Sequence, residues 1–210
     1  AALAFDKADG AVNGTVAFSR ADGVPQVAVN AKAASLNRGD LFVTNADIGV
    51  TVANYLDTPA ISGRVKAQSV QSGTTIIRKI DVSLTRDGKW TGFSGGAIVD
   101  DIEAAAAGRA AIAAGTTTVE LASGSARMRG LTATVARATT IVVKSGNVTL
   151  DKLALGISGG SVQVSGTAGE QLNLNVQISA LPAGVINNFA PGLAATGSIS
   201  GTLRVTGSAA

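Results

Sequence analysis

Cysteine and histidine are both missing from this chain. Without thiols there is no disulfide and no thiolate nucleophile. Without imidazole a Ser-His or Cys-His pair is excluded, and zinc, copper and haem lose their usual ligands. Only carboxylate or lysine chemistry stays open, and neither a cofactor nor a catalytic site is expected. Aromatic residues are 3% and charged residues 15% of the chain, and the net charge is +3. That leaves too few stacking groups and too sparse a basic footprint for nucleic acid. No run of about 18 apolar residues occurs, so no membrane-spanning helix is expected. The opening AALAFDKADG has neither the basic start nor the long apolar core of a signal peptide. Residues 1–210 are expected to be a single fragment of a longer polypeptide.

What is present is aliphatic and small. Hydrophobic residues make up 46% and glycine 26 of the 210 residues. The polar positions are mostly Ser, Thr, Asn and Gln, which suit the wet face of a sheet. The dominant pattern has period two. Leu153, Leu155 and Ile157 alternate with small residues, Val162 and Val164 with Gln163 and Ser165. Leu172, Leu174, Val176 and Ile178 alternate with Asn173, Asn175, Gln177 and Ser179, and Ile199, Leu203 and Val205 follow. Upstream, strands are predicted over Val12–Phe18, Val27–Ala33, Asp47–Ala53, Ile61–Ala67, Ile76–Leu84, Thr117–Leu121 and Thr132–Ala136. Asp22-Gly23, Arg38-Gly39, Asp87-Gly88, Gly95-Gly96, Ser145-Gly146, Gly159-Gly160 and the stretch Gly166–Gly169 are predicted turns, because glycine accepts positive φ.

Two regions read differently. Asp100–Ala114 is alanine-rich and fits either a helix or a pair of low-bulk strands bent at Gly108. Leu181–Gly192 is bounded by Pro182 and Pro191. A short helix near 182–190 is predicted there, with Val185, Ile186 and Phe189 on one face as a plug at the end of the apolar surface. An alternating sheet must hide its apolar face. Helices are too scarce to do so, which leaves a sandwich, a β-helix or a curved sheet lining a groove.

Residues 150–210 resemble the C-terminal region of the TamB family, relatives of AsmA in Gram-negative bacteria. The resemblance rests on Leu-x-Leu-x-Ile-x-Gly-Gly-Ser-Val-x-Val-x-Gly at 153–166 and Leu-x-Leu-x-Val-x-Ile at 172–178. The Pro-bounded segment then leads into Gly-x-Ile-x-Gly-x-Leu-x-Val-x-Gly at 197–207. Residues 1–149 share the texture without a firm motif. The resemblance implies an all-β fold: an elongated curved antiparallel sheet forming an open β-taco with an apolar concave groove. It implies a periplasmic segment of an inner-membrane-anchored protein, reaching toward the outer membrane. Its role there would be phospholipid transport and outer-membrane protein assembly, beside a TamA-like barrel protein. No catalytic residue is carried over. Candidate lipid-groove residues are Leu153, Leu155, Ile157, Val162, Val164, Leu172, Leu174, Val176, Ile178, Leu203 and Val205; the other reading of the same positions is a closed core.

The charged residues add little. Asp100, Asp101 and Glu103 form the densest acidic cluster and read as a solvated turn or edge rather than a carboxylate pair or calcium site. Arg127, Arg129, Arg137, Lys144 and Lys152, with Arg78 and Lys79, form a mild basic run that reads as surface. Arg38-Gly39-Asp40 marks a turn. The expected partners are phospholipid acyl chains and a barrel protein, with self-association of the isolated chain through its aliphatic load. The alternative function is a structural module, a β-helical adhesin or an autotransporter-passenger-like repeat.

Overall fold

The structure, a computed structural model, describes residues 8–208, without the side chains of Ala8 and Pro191. Residues 1–7 and the last two residues of the 150–210 stretch lie outside that description. The chain divides into two compact units, Ala1–Ala104 and Ala105–Ala210.

The first unit is built from β1 (Ala8–Ala21), β2 (Val24–Arg38), β3 (Leu41–Ala53), β4 (Ala60–Ser72), β5 (Thr75–Asp87) and β6 (Trp90–Val99). Each strand pairs antiparallel with the next. The strand β7 (Ile102–Ala113) begins at the end of this unit and runs into the second. The second unit continues with β8 (Thr116–Met128), β9 (Leu131–Val135), β10 (Thr139–Lys144), β11 (Asn147–Ile157), β12 (Gly160–Ala168), β13 (Gln171–Pro182) and β14 (Ser198–Ser208). Here β9 and β10 share the lane between β8 and β11, and the remaining pairs are sequential and antiparallel. Neither unit closes into a barrel among the described pairings. Parallel coils of the β-helical kind are absent from those pairings too.

Two-residue turns join most strands. Asp22-Gly23, Arg129-Gly130, Ser145-Gly146 and Ser158-Gly159 hold positive φ at both central residues, which matches the twist of the flanking strands. Ala114-Gly115 does the same with φ 47° and 72°. The Asp100–Ala114 region is therefore one strand between two turns, not a helix. Gly95-Gly96 is not a turn either: it lies inside β6, where a side chain at Gly95 would sit 2.3 Å from the Asp81 carbonyl oxygen. Gly160 and Gly166–Ala168 belong to β12, and the turn after it is Gly169-Glu170.

Many strands outrun their expected ends. The expected strand Val27–Ala33 continues as β2 to Arg38, and Ile61–Ala67 continues as β4 to Ser72. The reason is a row of irregularities crossing the first unit. Asn45 on β3 and Lys79 on β5 adopt left-handed φ of 47° and 52°. The register of β1 on β2 shifts between Gly10 and Val12, and that of β5 on β6 between Arg78 and Asp81. Each such residue bends its strand and re-aims the side chains beyond it. The apolar alternation accordingly jumps by three residues, from Ala33 to Leu36, Ala46 to Val43, Ala67 to Val70 and Ile80 to Ile77. These jumps fall in register with one another across the four strands. Curvature shows elsewhere as well: the Ile61 amide on β4 donates to Thr91 Oγ1 on β6 at 2.8 Å, across the end of β5 between them.

The predicted helix is present as a 3-10 helix over Ala183–Asn188, with Pro182 at its N-cap. A second 3-10 turn, Pro191–Leu193, follows.

Candidate functional site

Pairing register sorts the strand residues of each unit into two faces. In the first unit one row runs Val16, Val29, Val50, Gly63, Leu84, Phe93 from β1 to β6. The next runs Gly14, Ala31, Ile48, Val65, Val82, Gly95. Beyond the bulge row lies a further one: Leu36, Val43, Val70, Ile77, Val99. These rows are aliphatic apart from Phe93 and carry no hydrogen-bonding side chain. The candidate residues of the C-terminal stretch contain no signal for this ladder, although the predicted strands upstream held most of its members.

In the second unit the rows are made largely of the predicted groove residues. Leu153, Val164, Val176 and Leu203 form one row across β11 to β14. Leu155, Val162 and Ile178 form the next, flanked by Val135 of β9 and Gly201. Leu174 sits between Gly166 and Val205, Leu172 opposite Gly207, and Ile157 between Ala133 and Gly160. Leu203 and Val205 on β14 are exposed, and the other predicted groove residues are half-buried.

What covers these rows is decided by burial. Among the described residues the only fully buried hydrophobic ones are Ala33, Ala53, Ala60, Ala67 and Ala183, and no large side chain is enclosed. A second layer would bury Val, Ile and Leu first, because they lose the most apolar surface to water. Each unit is thus a single β layer with an exposed hydrophobic face.

The opposite face is polar, and its charges are met by opposite ones. Lys32, Asp47, Lys66 and Asp81 are direct neighbours across β2 to β5 and alternate in sign. Lys32 lies 3.2 Å from Asp47, and Lys66 lies 3.4 Å from Asp81. Arg64 grips Asp81 with two bonds, Nε to Oδ1 at 2.8 Å and Nη2 to Oδ2 at 2.7 Å. That grip holds the Asp81 carboxyl below the usual carboxylate range and raises Arg64. In the second unit Arg109 Nε donates to Glu120 Oε2 at 2.7 Å. A shallow hollow of about 350 Å³ lies beside that pair, at the gap between β9 and β10, with Arg137, Asp151 and Lys152 on its rim.

The remaining singled-out residues fall into structural roles. Asp100 accepts the Ile76 amide on its Oδ1 at 3.0 Å, and Asp101 pairs loosely with Arg78 at 3.8 Å. Arg78 also donates to the Asp100 carbonyl. These acids anchor a turn, and no group of three or more potential metal ligands occurs among the described residues. Of the predicted plug, Val185 is half-buried, whereas Ile186 and Phe189 are exposed. A 3-10 helix has three residues per turn, so Ile186 and Phe189 align while Val185 turns away. The Arg129 guanidinium stands 5.7 Å from the Phe189 ring centroid.

The distinguishing feature of this arrangement, among the described residues, is the open aliphatic face. No protein-family model matches the chain, and neither does any curated protein or solved structure.

Proposed function

We propose that this chain is a non-catalytic cradle for phospholipid acyl chains. The observation that carries the reading is the pair of aliphatic ladders left uncovered in the two units. Water against such rows is unfavourable, and each methylene of a chain laid along them is worth about 0.8 kcal/mol when buried. Apart from Phe93 the rows hold Val, Leu, Ile, Ala and Gly, which suit a flexible hydrocarbon better than a ligand that must be oriented by hydrogen bonds. Transfer along the ladder would be passive, with headgroups left in water.

Together with the resemblance of residues 150–210, this supports a TamB-like role. The chain would then be a periplasmic segment of an inner-membrane-anchored protein, carrying phospholipid toward the outer membrane and supporting outer-membrane protein assembly with a TamA-like barrel. The antiparallel hairpins weigh against the β-helical adhesin alternative, which stacks parallel coils.

The test is native mass spectrometry of the 210-residue chain after incubation with phospholipid vesicles. Bound phospholipid is expected, and it is expected to disappear when Leu155, Val164, Leu174 and Val176 are replaced by serine while the circular dichroism of the sheet persists. A folded wild-type chain that takes up no phospholipid refutes the cradle.

A further inference from the structure

The link between β13 and β14, AGVINNFAPGLAATG over 183–197, contains no charged residue. It is wound and clamped. Asn187 donates from Nδ2 to the Ala195 carbonyl at 3.1 Å and accepts the Ala195 amide on Oδ1 at 2.8 Å. The Ala183 amide donates to the Gly197 carbonyl at 2.9 Å, closing the base. The segment therefore has a defined shape, yet Ile186, Phe189 and Leu193 remain 36%, 48% and 63% exposed. Large apolar groups held in water by an ordered segment mark an interaction site.

The segment leaves and rejoins the sheet at the strand ends, because it links β13 to β14. The β8–β9 turn reaches the same place, since Arg129 stands 5.7 Å from the Phe189 ring. Arg127, two residues back on β8, is also exposed. An uncharged apolar tip with one guanidinium against it and a second exposed two residues away on β8 is suited to the boundary between lipid headgroups and acyl chains. The rings and aliphatics enter the boundary, and the guanidinium forks stay at the level of the phosphates.

We infer that residues 183–197 dock this end of the second unit onto an anionic phospholipid bilayer, with Ile186, Phe189 and Leu193 inserted and Arg127 and Arg129 on the phosphates. This goes beyond the cradle and does not need it: the cradle takes single acyl chains on the sheet face, whereas the tip meets an intact bilayer at the strand ends.

The test is flotation of the 210-residue chain with vesicles of phosphatidylcholine alone and of phosphatidylcholine mixed with phosphatidylglycerol. The chain is expected to float with the mixed vesicles. The double substitution Phe189→Ser with Leu193→Ser is expected to weaken this roughly tenfold. Arg127→Gln and Arg129→Gln are each expected to cost about fivefold on mixed vesicles and little on neutral ones. The substituted side chains are exposed, so the sheet signal and the lipid detected by mass spectrometry should not change. In a Phe189→Trp variant, emission above the Trp90 background is expected to be quenched by brominated lipid. The inference is overturned by a wild type that does not float, by serine variants that float as well as wild type, or by an unquenched Trp at 189. It is overturned equally if flotation is lost in the Leu174 and Val176 variants but kept in the tip variants, or if Phe189→Ser disperses a dimer of a chain that never floats.

Discussion

Leu203 offers a direct measure of whether the aliphatic face is open. It closes the row Leu153, Val164, Val176, Leu203 and is 56% exposed. Replacing it by alanine removes three carbons, worth about 2.4 kcal/mol if fully buried at about 0.8 kcal/mol each. More than half of this side chain is already wet, so the loss at stake is about 1 kcal/mol. Water also fills the space left behind, and no cavity cost is added. In an enclosed core the same change costs roughly 2.7–5 kcal/mol, because the void persists. Urea unfolding of Leu203→Ala against wild type, followed by circular dichroism, separates the two. An unchanged slope with a loss near 1 kcal/mol supports the open face. A loss of about 3 kcal/mol or more would show a closed core beneath Leu203 and refute the reasoning. Repeating the titration with phospholipid bound should widen the deficit, since the chain then supplies the contacts that alanine cannot make.

Gly63 has φ +133°, and a Cβ there would lie 2.0 Å from the Gly49 carbonyl oxygen and 2.7 Å from Val50 Cα. Both obstacles are backbone, so Gly63→Ala is expected to cost about 2–4 kcal/mol; an unchanged thermal midpoint would contradict this. The Arg64 hydrogen bonds hold Asp81 below its unfolded value of about 3.9. Its contribution to stability is therefore present above that pH and lost as pH falls through the depressed folded value. Asp81→Asn should flatten this part of the acid-unfolding curve, and identical curves for the two proteins would remove the ladder from the account.

The legible part of the fold was the part with uninterrupted alternation. Leu172 to Ile178 alternate without a break, and β13 with its apolar row follows from them directly. On β2 alternation ends at Ala33 because Ala34 and Ser35 both fall between apolar positions, and nothing local says that the strand goes on. Only the partner strands reveal it: Asn45 on β3 and Lys79 on β5 reset the phase along the same row. Gly95-Gly96 misled for a related reason. Glycine serves a turn and a close strand approach equally well, and the choice between them belongs to Val82 and Asp81 on the neighbouring strand. Alanine-rich Ile102–Ala113 is intrinsically helix-prone, yet it stands as a strand closed at its end by the tight Ala114-Gly115 turn. The Pro-bounded helix was legible in place but not in kind, and its tighter 3-10 winding is what turns Phe189 outward beside Arg129. The aliphatic ladder of the first unit could not be assembled from alternation alone, because rows across strands exist only once register is fixed.

The two-residue turns have a consequence for how such a chain can change. A hairpin closed by Asp22-Gly23 or Ser158-Gly159 has no slack, so one residue inserted or deleted in a strand moves every later side chain of that strand to the other face. Aliphatic rows would then turn toward the charged ladder, and Lys and Asp toward the hydrocarbon side. Tolerance for altered length is confined to the two longer links, 54–59 and 183–197, and to the bulge positions, where a phase slip is already part of the design. Homologous chains should therefore vary in length at those places and keep strand lengths fixed elsewhere. A protease should find its first cuts in the same two links.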